Sequence, residues 1–524
     1  MLLPQTARLT ALDTPLALEQ LAKLQRGIEK ESLRIAPDGK LSTQPHPKAF
    51  GSALSHPRIT TDFSEALMEL ITPVHTGIDS CLEELSDIHR YVYQNLENEL
   101  LWTASMPCIL GDDEAIPVAQ FGSSNTAKMK SIYRVGLGHR YGRRMQTIAG
   151  IHYNFSIPKA LWPLLQDSDR DFNAAYRKEH GEDCSQEDYQ TAAYFGLIRN
   201  FRRYSWLLLY LFGAAPAVCG SFLAGQEHKL EKLDEHSLYL PHSTSLRMGD
   251  LGYQSNAQQS LKVCYNLLDN YIATLSEAIT TSHPDYEKIG VQNNGDYKQL
   301  STALLQIENE FYSPIRPKRV TDSGEIPLGA LKRSGVEYVE VRCIDVNPFE
   351  PTGISSEQVH FLDAFLLFCL IAPSPACDDQ TYQEIGENQA KVVNRGREPG
   401  LQLADRGKQR SLQNWAEELM QGVASTARLL DKANQSDRYS AAYGEALKSL
   451  ENPENTPAAR LISEMRESGM GFHEFTMSLA QQHQQHFVDT PLAPEKLAKF
   501  EQQSAQSFVD QTAIEAEQTG SFEQ

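Results

Sequence analysis

Alternating apolar and polar residues predict several β-strands in the first two-thirds of the chain. Such runs occur near residues 26–36, 66–72 and 335–346, and in "TIAGIHYNFSI" at the end of segment 104–156. Side chains two positions apart on a strand point to the same face. We therefore expect strands that bury one face and carry polar groups on the other.

Apolar residues at helical spacing predict helices between and after these strands. Residues 77–100 have apolar positions at 78, 82, 85, 88 and 92, the stripe of an amphipathic helix. Longer helices are expected at 190–213, 256–281 and 356–372.

The last third of the chain differs in composition. It is mostly helical in pattern, rich in Gln, Glu and Ala, and broken by Pro or Gly near 399, 453, 469 and 491. We expect an α+β body over residues 1–375. A helical region over 376–524 should pack on that body without forming a clearly independent domain.

Composition narrows the function classes. The 524 residues include 48 Lys and Arg against 68 Asp and Glu, a net charge of −20. This disfavours a nucleic-acid binder and an anionic membrane surface as partner. The most apolar stretch, 206–218, is shorter than the about 20 residues that span a bilayer. There is no secretory signal, and the eight cysteines form no CxxC motif, so we expect a cytoplasmic protein.

Acidic residues recur in the strand segments. Glu29 and Glu31 in "RGIEKESLRI" share one strand face, and Asp62 and Glu69 lie in "TTDFSEALMELITP". Carboxylates held close together repel each other, and Mg²⁺ relieves that repulsion. The alternative for Glu29 and Glu31 is a solvated strand face with Lys30 and Arg34 as cross-strand partners.

Two further strands carry candidate chemical groups. His152 lies on the polar face of "AGIHYNFSI", where a hydrogen-bonded histidine is the alternative to a metal ligand. Glu340 and Arg342 share a face of "EYVEVRCID", which suits a metal ligand beside a phosphoryl-binding guanidinium. A cross-strand ion pair is the competing interpretation.

Basic groups capable of holding phosphate follow in a Pro-containing loop. Arg316, Lys318 and Arg319 occur in "SPIRPKRV". The chain has no GxxxxGK[ST] motif, dinucleotide fingerprint, HExxH or GxSxG motif. Any phosphate must therefore be bound through metals and cationic side chains.

Six motifs in order resemble the proteobacterial glutamate–cysteine ligases over roughly residues 15–375. They are "RGIEKESLRI", "GSALSHPRITTDFSEALMELITP", "QTIAGIHYNFS", "SLRMGDLGY", "LQIENEFYSPIRPKR" and "GVEYVEVRCIDVNPF". The resemblance implies a glutamine-synthetase-like fold, in which a curved antiparallel sheet surrounded by helices forms a funnel-shaped active site. It also implies ATP-dependent joining of the γ-carboxylate of L-glutamate to the amine of L-cysteine through γ-glutamyl phosphate, the first step of glutathione synthesis.

The resemblance also implies roles for individual residues. Two or more Mg²⁺ ions, or Mn²⁺ in their place, are expected. Glu31, Asp62 and Glu69 would bind one ion, and Glu29, His152 and Glu340 another. Glu340 and Arg342 would be catalytic, with Arg342 stabilising the transferring phosphoryl group. The positions expected near the amino-acid substrates are Tyr133, Gln146, Arg247, Tyr253 and Tyr312.

Other functions remain open at this level. A ligase of the same fold acting on another amine, a metal-dependent phosphohydrolase and a non-catalytic regulator are the alternatives. The resemblance implies a monomer with small-molecule substrates. A reactive intermediate needs shielding from water, and "GLGHRYG" (136–142) or the loop 313–326 are the candidates for a closing segment.

Overall fold

A seven-stranded antiparallel sheet forms the centre of the computed structural model. The structure describes residues 6–107, 109–223, 226–252, 258, 261–322, 325–517, 520 and 522. The strands are β1 (Gln25–Ile35), β2 (Ile59–Thr61), β3 (Leu67–Ile71), β4 (Leu100–Leu101), β5 (Ile151–Ser156), β11 (Ile315–Lys318) and β12 (Tyr338–Ile344). Their order is β11-β12-β5-β1-β3-β2, with β4 paired to β1, and the sheet is open.

Short strands outside this sheet form three small ribbons. They are β6 (Ala217–Cys219), β7 (Glu231–Lys232), β8 (Ser237–Tyr239), β9 (Gln292–Asn293), β10 (Asp296–Tyr297), β13 (Gln402–Asp405) and β14 (Lys408–Ser411).

Helices surround the sheet and make up most of the C-terminal third. Those of the first two-thirds are α1 (Thr6–Leu12), α2 (Pro15–Leu21), α3 (Ile78–Asn95), α4 (Asn125–Tyr141), α5 (Trp162–Ser168), α6 (Arg170–His180), α7 (Gln186–Tyr204), α8 (Trp206–Phe212), α9 (Leu268–Ala278), α10 (Pro284–Ile289), α11 (Pro327–Ser334) and α12 (Ser356–Ile371). The remainder are α13 (Asp379–Arg395), α14 (Leu412–Asn434), α15 (Arg438–Glu451), α16 (Pro457–Ser468), α17 (Phe472–Asp489) and α18 (Pro494–Ala516).

The α+β class, with an antiparallel sheet, surrounding helices and a helical C-terminal third, is confirmed. The C-terminal helices pack closely on the body. Trp415 of α14 contacts Tyr204 and Trp206, with ring centroids 6.4 and 5.2 Å away. One hydrophobic core includes buried residues from both regions. The boundary at residue 375 stays a prediction.

Three predictions about local structure are wrong. The helix expected at 190–213 is two helices, α7 and α8. Within 256–281, residues 261–267 are not helical and α9 begins only at Leu268, after three polar or small residues in the segment "LKVCYNL" interrupt the apolar stripe. Residues 136–141 of "GLGHRYG" form the end of helix α4 rather than a closing loop, despite their two glycines.

None of the helices in the described part of the chain is both long and apolar enough to cross a membrane.

Candidate active site

A cavity of about 390 Å³ lies against one face of the central sheet, beneath helix α4. Strands β1, β3, β5, β11 and β12 all contribute side chains to it. The predicted site residues in its lining are Glu29, Glu31, Asp62, Glu69, Tyr133, Gln146, His152, Tyr312, Arg316, Lys318, Glu340 and Arg342. Residues that are up to about 310 positions apart in the sequence thus meet in one place.

Three predicted residues are not part of the described lining. Tyr253 lies outside the described residues. Arg247 is buried beside the cavity, where it donates to the carbonyl of Arg342 at 2.9 Å and lies 3.7 Å from Asp345. Arg319 turns away from the cavity, donates to the carbonyl of Gly335 at 2.6 Å and lies 3.9 Å from Glu337.

His152 lies between the two acids of strand β1. The antiparallel register pairs Glu29 directly with His152 on β5. One ring nitrogen of His152 is 3.1 Å from a Glu29 oxygen, and the other is 3.9 Å from a Glu31 oxygen. The second Glu31 oxygen accepts a hydrogen bond from the backbone N–H of Gly150 at 2.6 Å. The polar side chains that the alternation places on one strand face therefore contact one another in the structure.

The second group of acids forms on the other side of β1. The register places Glu69 of β3 opposite Glu31, so both carboxylates enter the cavity from neighbouring strands. Asp62, in the loop before β3, lies at the rim, where Arg134 donates to its backbone carbonyl and approaches its carboxylate at 3.9 Å.

Glu340 lies between two cations. Its carboxylate is 3.4 Å from the Lys318 ammonium and 3.2 Å from the Arg342 guanidinium. Strand pairing explains the approach, because Arg316 of β11 is opposite Glu340 and Lys318 is two residues further. Arg316 itself is buried and donates to the carbonyls of Asn309 and Phe311.

The electrostatics separate the acids into two kinds. Burial and the neighbouring carboxylates of Glu29, Asp62 and Glu31 raise the pKa of Glu69 well above its usual value. Burial also raises the pKa of Glu31. Burial opposes ionisation of Glu340 too, but Lys318 and Arg342 hold its pKa well below the usual range. The Glu31–Glu69 side of the cavity therefore lacks the cations that would stabilise ionised carboxylates, whereas the Glu340 side has them.

The donor set fits divalent cations of the magnesium type. Ligand atoms of Glu29, His152 and Glu340 lie within 4.8 Å of one another, and hard cations prefer carboxylate oxygens. A cation would also relieve the repulsion that raises the pKa of Glu69. Beside the group, Nε of Arg342 is buried and has no hydrogen-bond partner among the described residues, which leaves a donor available to a ligand.

Sequence reasoning missed the contribution of helix α4. The helix adds Met129, Lys130, Arg134, Leu137 and Tyr141 to the lining besides Tyr133. The helix is only weakly amphipathic and contains two glycines, so the sequence pattern did not predict it. The available signals were Ser124, which caps the helix by accepting from Ala127 N–H, and the spacing of Tyr133, Leu137 and Tyr141.

Glu310 was also missed. It is buried with Arg140 at 2.9 Å, and it lines the cavity. The segment "IENEF" contains two acids, and nothing in it shows that the second, Glu310, has a partner about 170 residues away.

Comparison with known proteins gives a consistent family. A family model described as glutamate–cysteine ligase matches residues 9–392. A glutamate–cysteine ligase of Pseudomonas aeruginosa strain LESB58 is 50% identical over 520 residues, covering 98% of this chain and 96% of that protein. One of Alcanivorax borkumensis is 48% identical over 522 residues, with coverages of 99% and 97%. The likeness therefore extends through the C-terminal third, beyond the 15–375 expected from the motifs.

Solved structures give the same result. The crystal structure of a Francisella tularensis glutamate–cysteine ligase in complex with AMP superposes with a TM-score of 0.87 at 35% identity, covering 95% of this chain and 96% of that one. A bifunctional glutathione synthetase from Pasteurella multocida has a TM-score of 0.70 at 27% identity, covering 90% of this chain and 53% of that protein.

Proposed function

This chain belongs to the glutamate–cysteine ligase family, and we propose that it joins L-glutamate to L-cysteine at the expense of ATP. The reaction gives γ-glutamylcysteine, ADP and phosphate, the first step of glutathione synthesis. The observation that carries this proposal is the 48–50% sequence identity with named ligases over nearly the whole chain. The AMP in the similar Francisella structure supports adenine-nucleotide use.

The cavity contains groups suited to each part of this reaction. Glu29, His152 and Glu340 would hold one Mg²⁺, and Glu31, Glu69 and Asp62 another, with Mn²⁺ as the alternative ion. Bound ions would neutralise charge on the phosphates of ATP and so allow a carboxylate to approach them. The side chains of these six residues line one cavity, which supports a shared site.

Arg342 is the residue that we assign to the transferring phosphoryl group. Its guanidinium is held at 3.2 Å by Glu340, and its Nε has no hydrogen-bond partner in the described structure. A fixed guanidinium stabilises charge on the phosphoryl oxygens during transfer. Glu340 thereby has two functions, since it orients Arg342 and offers its carboxylate to a metal.

The amino-acid substrates would bind toward helix α4. Tyr133, Gln146 and Tyr312 all line the cavity, and Tyr133 lies on α4. Arg247 donates to the backbone of the Arg342 strand, so we place it behind the substrate site as a support for β12. Tyr253, the division of the chain at 375, a monomeric state and a cytoplasmic location stay predictions.

Cysteine-dependent ADP release tests the proposed function. Purified protein with Mg²⁺, ATP and glutamate should release ADP when cysteine is added, and γ-glutamylcysteine should appear in equal amount. Substituting other amines for cysteine separates this ligase from a relative with another acceptor. Phosphate release that needs neither amino acid would identify a phosphohydrolase and contradict the proposal.

A further inference from the structure

Helix α4 covers the cavity, yet little of it is buried. Of its 17 residues only Ala127 and Gly136 are buried. Ala127 belongs to a small hydrophobic cluster with Ala53, Ala119 and Phe121 that is separate from the main core. A helix with so little buried apolar surface is held mainly by specific contacts at particular points.

The C-terminal end of α4 is anchored within the catalytic body. Arg140 forms an ion pair with Glu310 in which the two side chains are 0% and 1% exposed. The hydroxyl of Tyr141 donates to the same carboxylate at 2.5 Å. In the middle of the helix, the amide of Gln306 donates to the carbonyl of Tyr133 at 3.2 Å.

The N-terminal end of α4 is contacted by the last helix of the chain, α18. The Glu515 carboxylate accepts a hydrogen bond from the backbone N–H of Ser123 at 2.8 Å. Gln511, one turn earlier on α18, donates to the same Glu515 oxygen at 3.1 Å. A carboxylate at this end of a helix is also favoured by the helix dipole.

The segment that precedes α4 fits closely against α18. Gly122 has a φ of +115°, and a Cβ there would lie 2.3 Å from Nε2 of Gln511 and 2.6 Å from the Glu515 carboxylate. Any other residue would strain this positive φ and push aside the ends of the Gln511 and Glu515 side chains, including the carboxylate that contacts Ser123. The close fit shows that the contact is built into the sequence of both segments.

Helix α18 is itself fixed to the body of the protein. Oγ of Ser507 accepts from the backbone N–H of Ser52 at 2.8 Å, and the Ser507 carbonyl accepts from the hydroxyl of Ser55 at 2.6 Å. Phe500 stacks on Tyr91 with ring centroids 5.0 Å apart. Helix α18 is therefore a fixed support against which the N-terminal end of α4 is held.

We propose that Glu515 is a positioning residue for the active site, holding the N-terminal end of α4 over the cavity from the far end of the chain. Lys130, Tyr133 and Arg134, all within the first ten residues of this helix, line the cavity. The contact with Ser123 limits their movement. The consequence for catalysis rests on the proposed function; the consequence for the helix does not.

Hydrogen exchange and kinetics on three full-length variants test the proposal. Glu515→Ala removes the acceptor, whereas Glu515→Gln keeps one. Asp510→Ala removes another exposed carboxylate of α18, whose described contact is with Gln506 on the same helix at 2.8 Å. All three should melt within a few degrees of the parent, since these side chains lie outside the core.

We expect amide exchange across residues 123–134 to become roughly two- to tenfold faster in Glu515→Ala, the equivalent of one hydrogen bond. The KM of glutamate or cysteine should rise by a similar factor, while kcat changes less. Glu515→Gln should recover most of the protection, and Asp510→Ala should match the parent.

Two results would overturn the proposal. One is unchanged exchange at 123–134 in Glu515→Ala, and the other is faster exchange with every KM unaltered. The exchange measurement needs no substrate. If the protein showed no cysteine-dependent ADP release, the proposed function would be wrong. The exchange measurement would still show whether Glu515 holds α4.

Discussion

The two faces of strand β1 bury charges of opposite sign and treat them differently. On the cavity face, Glu29 and Glu31 meet Glu69 of the next strand across a shared space. On the opposite face, Arg26, Lys30 and Arg34 point into the protein, and each is no more than 3% exposed. One strand of eleven residues thus separates an acidic site from a basic interior.

The two arginines of the basic face pair with acids of the protein itself. Arg26 pairs with Asp363 at 2.9 Å, and Tyr153 donates to the same carboxylate at 2.6 Å. Arg34 pairs with Glu99 and donates to three backbone carbonyls.

Lys30 has a neutral partner instead of an acid. Its nitrogen lies 2.8 Å from Nε2 of His89, whose other nitrogen lies 2.7 Å from the Leu85 carbonyl and therefore carries the proton. Burial lowers the pKa of Lys30 to about 7.

The acidic face is left with excess charge. Burial and three neighbouring carboxylates raise the pKa of Glu69 well above its usual value, whereas Asp363 raises the pKa of Arg26 against the effect of burial. Charges that are paired internally maintain the fold, and like charges left together mark a ligand site. The comparison predicts that mutations on the two faces will affect different properties.

The largest effect is expected from Arg342, the residue that we assign to the transferring phosphoryl group. Arg342→Ala should lower kcat by roughly 1,000-fold or more, as loss of a transition-state arginine does. Steady-state ADP release measures it, with circular dichroism to show that the protein is folded. Arg333→Ala removes an arginine from exposed ion pairs and should leave kcat unchanged. A loss below tenfold in Arg342→Ala would contradict its role.

On the basic face, Asp363→Asn should reduce stability. It leaves the buried Arg26 charge without its partner, which costs about 3–5 kcal/mol of unfolding free energy. Denaturant unfolding measures the change. Asp79→Asn breaks an exposed arginine–aspartate pair with Arg438 and should cost about 1 kcal/mol or less. Equal losses in the two variants would remove the distinction between the faces.

Glu69→Gln should lower activity without lowering stability, the reverse of Asp363→Asn. It removes one of the repelling carboxylates, so the metal-free protein should be as stable as the parent or more so, while kcat falls roughly 100-fold. Thermal melting with increasing Mg²⁺ tests the metal assignment, because an ion that binds only the folded state raises Tm. The rise of Tm with Mg²⁺ should be smaller in Glu69→Gln. It should be unchanged in the control Glu97→Gln, which alters an exposed glutamate outside the cavity lining. A full Mg²⁺ response in Glu69→Gln would refute the assignment.

Alternation in the sequence was sufficient to predict which acids share a face. Glu29 and Glu31 lie two residues apart, and so do Glu340 and Arg342; both pairs enter the cavity. The solvated alternative, with Lys30 and Arg34 as partners of the acids, is wrong because neighbouring residues of a strand point to opposite faces. Here the opposite face is buried beneath helix α3.

Long-range register could not be predicted from local patterns. Nothing near Glu29 indicates that His152 will be its cross-strand partner, or that Arg140 will meet Glu310. Helix α4 was missed because its side chains are amphipathic only in relation to a polar cavity, which the local sequence does not reveal. The loop expected at "SPIRPKRV" is wrong for a similar reason, since Arg316 and Lys318 lie on strand β11 and Arg319, just after it, contacts Gly335 and Glu337. Phosphate binding by these residues stays a prediction.

The smallest effect concerns the partial neutralisation of the acidic face by Lys318. Its ammonium lies 3.4 Å from Glu340, and its side chain is 30% exposed, so we expect it to be accessible to a phosphate oxygen. Lys318→Met should raise the KM of ATP roughly tenfold, the value of one charge-assisted hydrogen bond.

Arg319 provides the matched control, because it is the next basic residue of the chain and contacts Gly335 and Glu337 instead. Arg319→Met should change the KM of ATP less than about twofold, as expected for a partly buried charge that contacts the protein outside the cavity lining. If the two variants raised this KM equally, the effect would come from the net charge of the loop. If only Lys318→Met raises the KM of ATP, Lys318 is the cation of the acidic face that binds phosphate. The acidic face then has a balancing cation at Glu340 but not at Glu31 and Glu69.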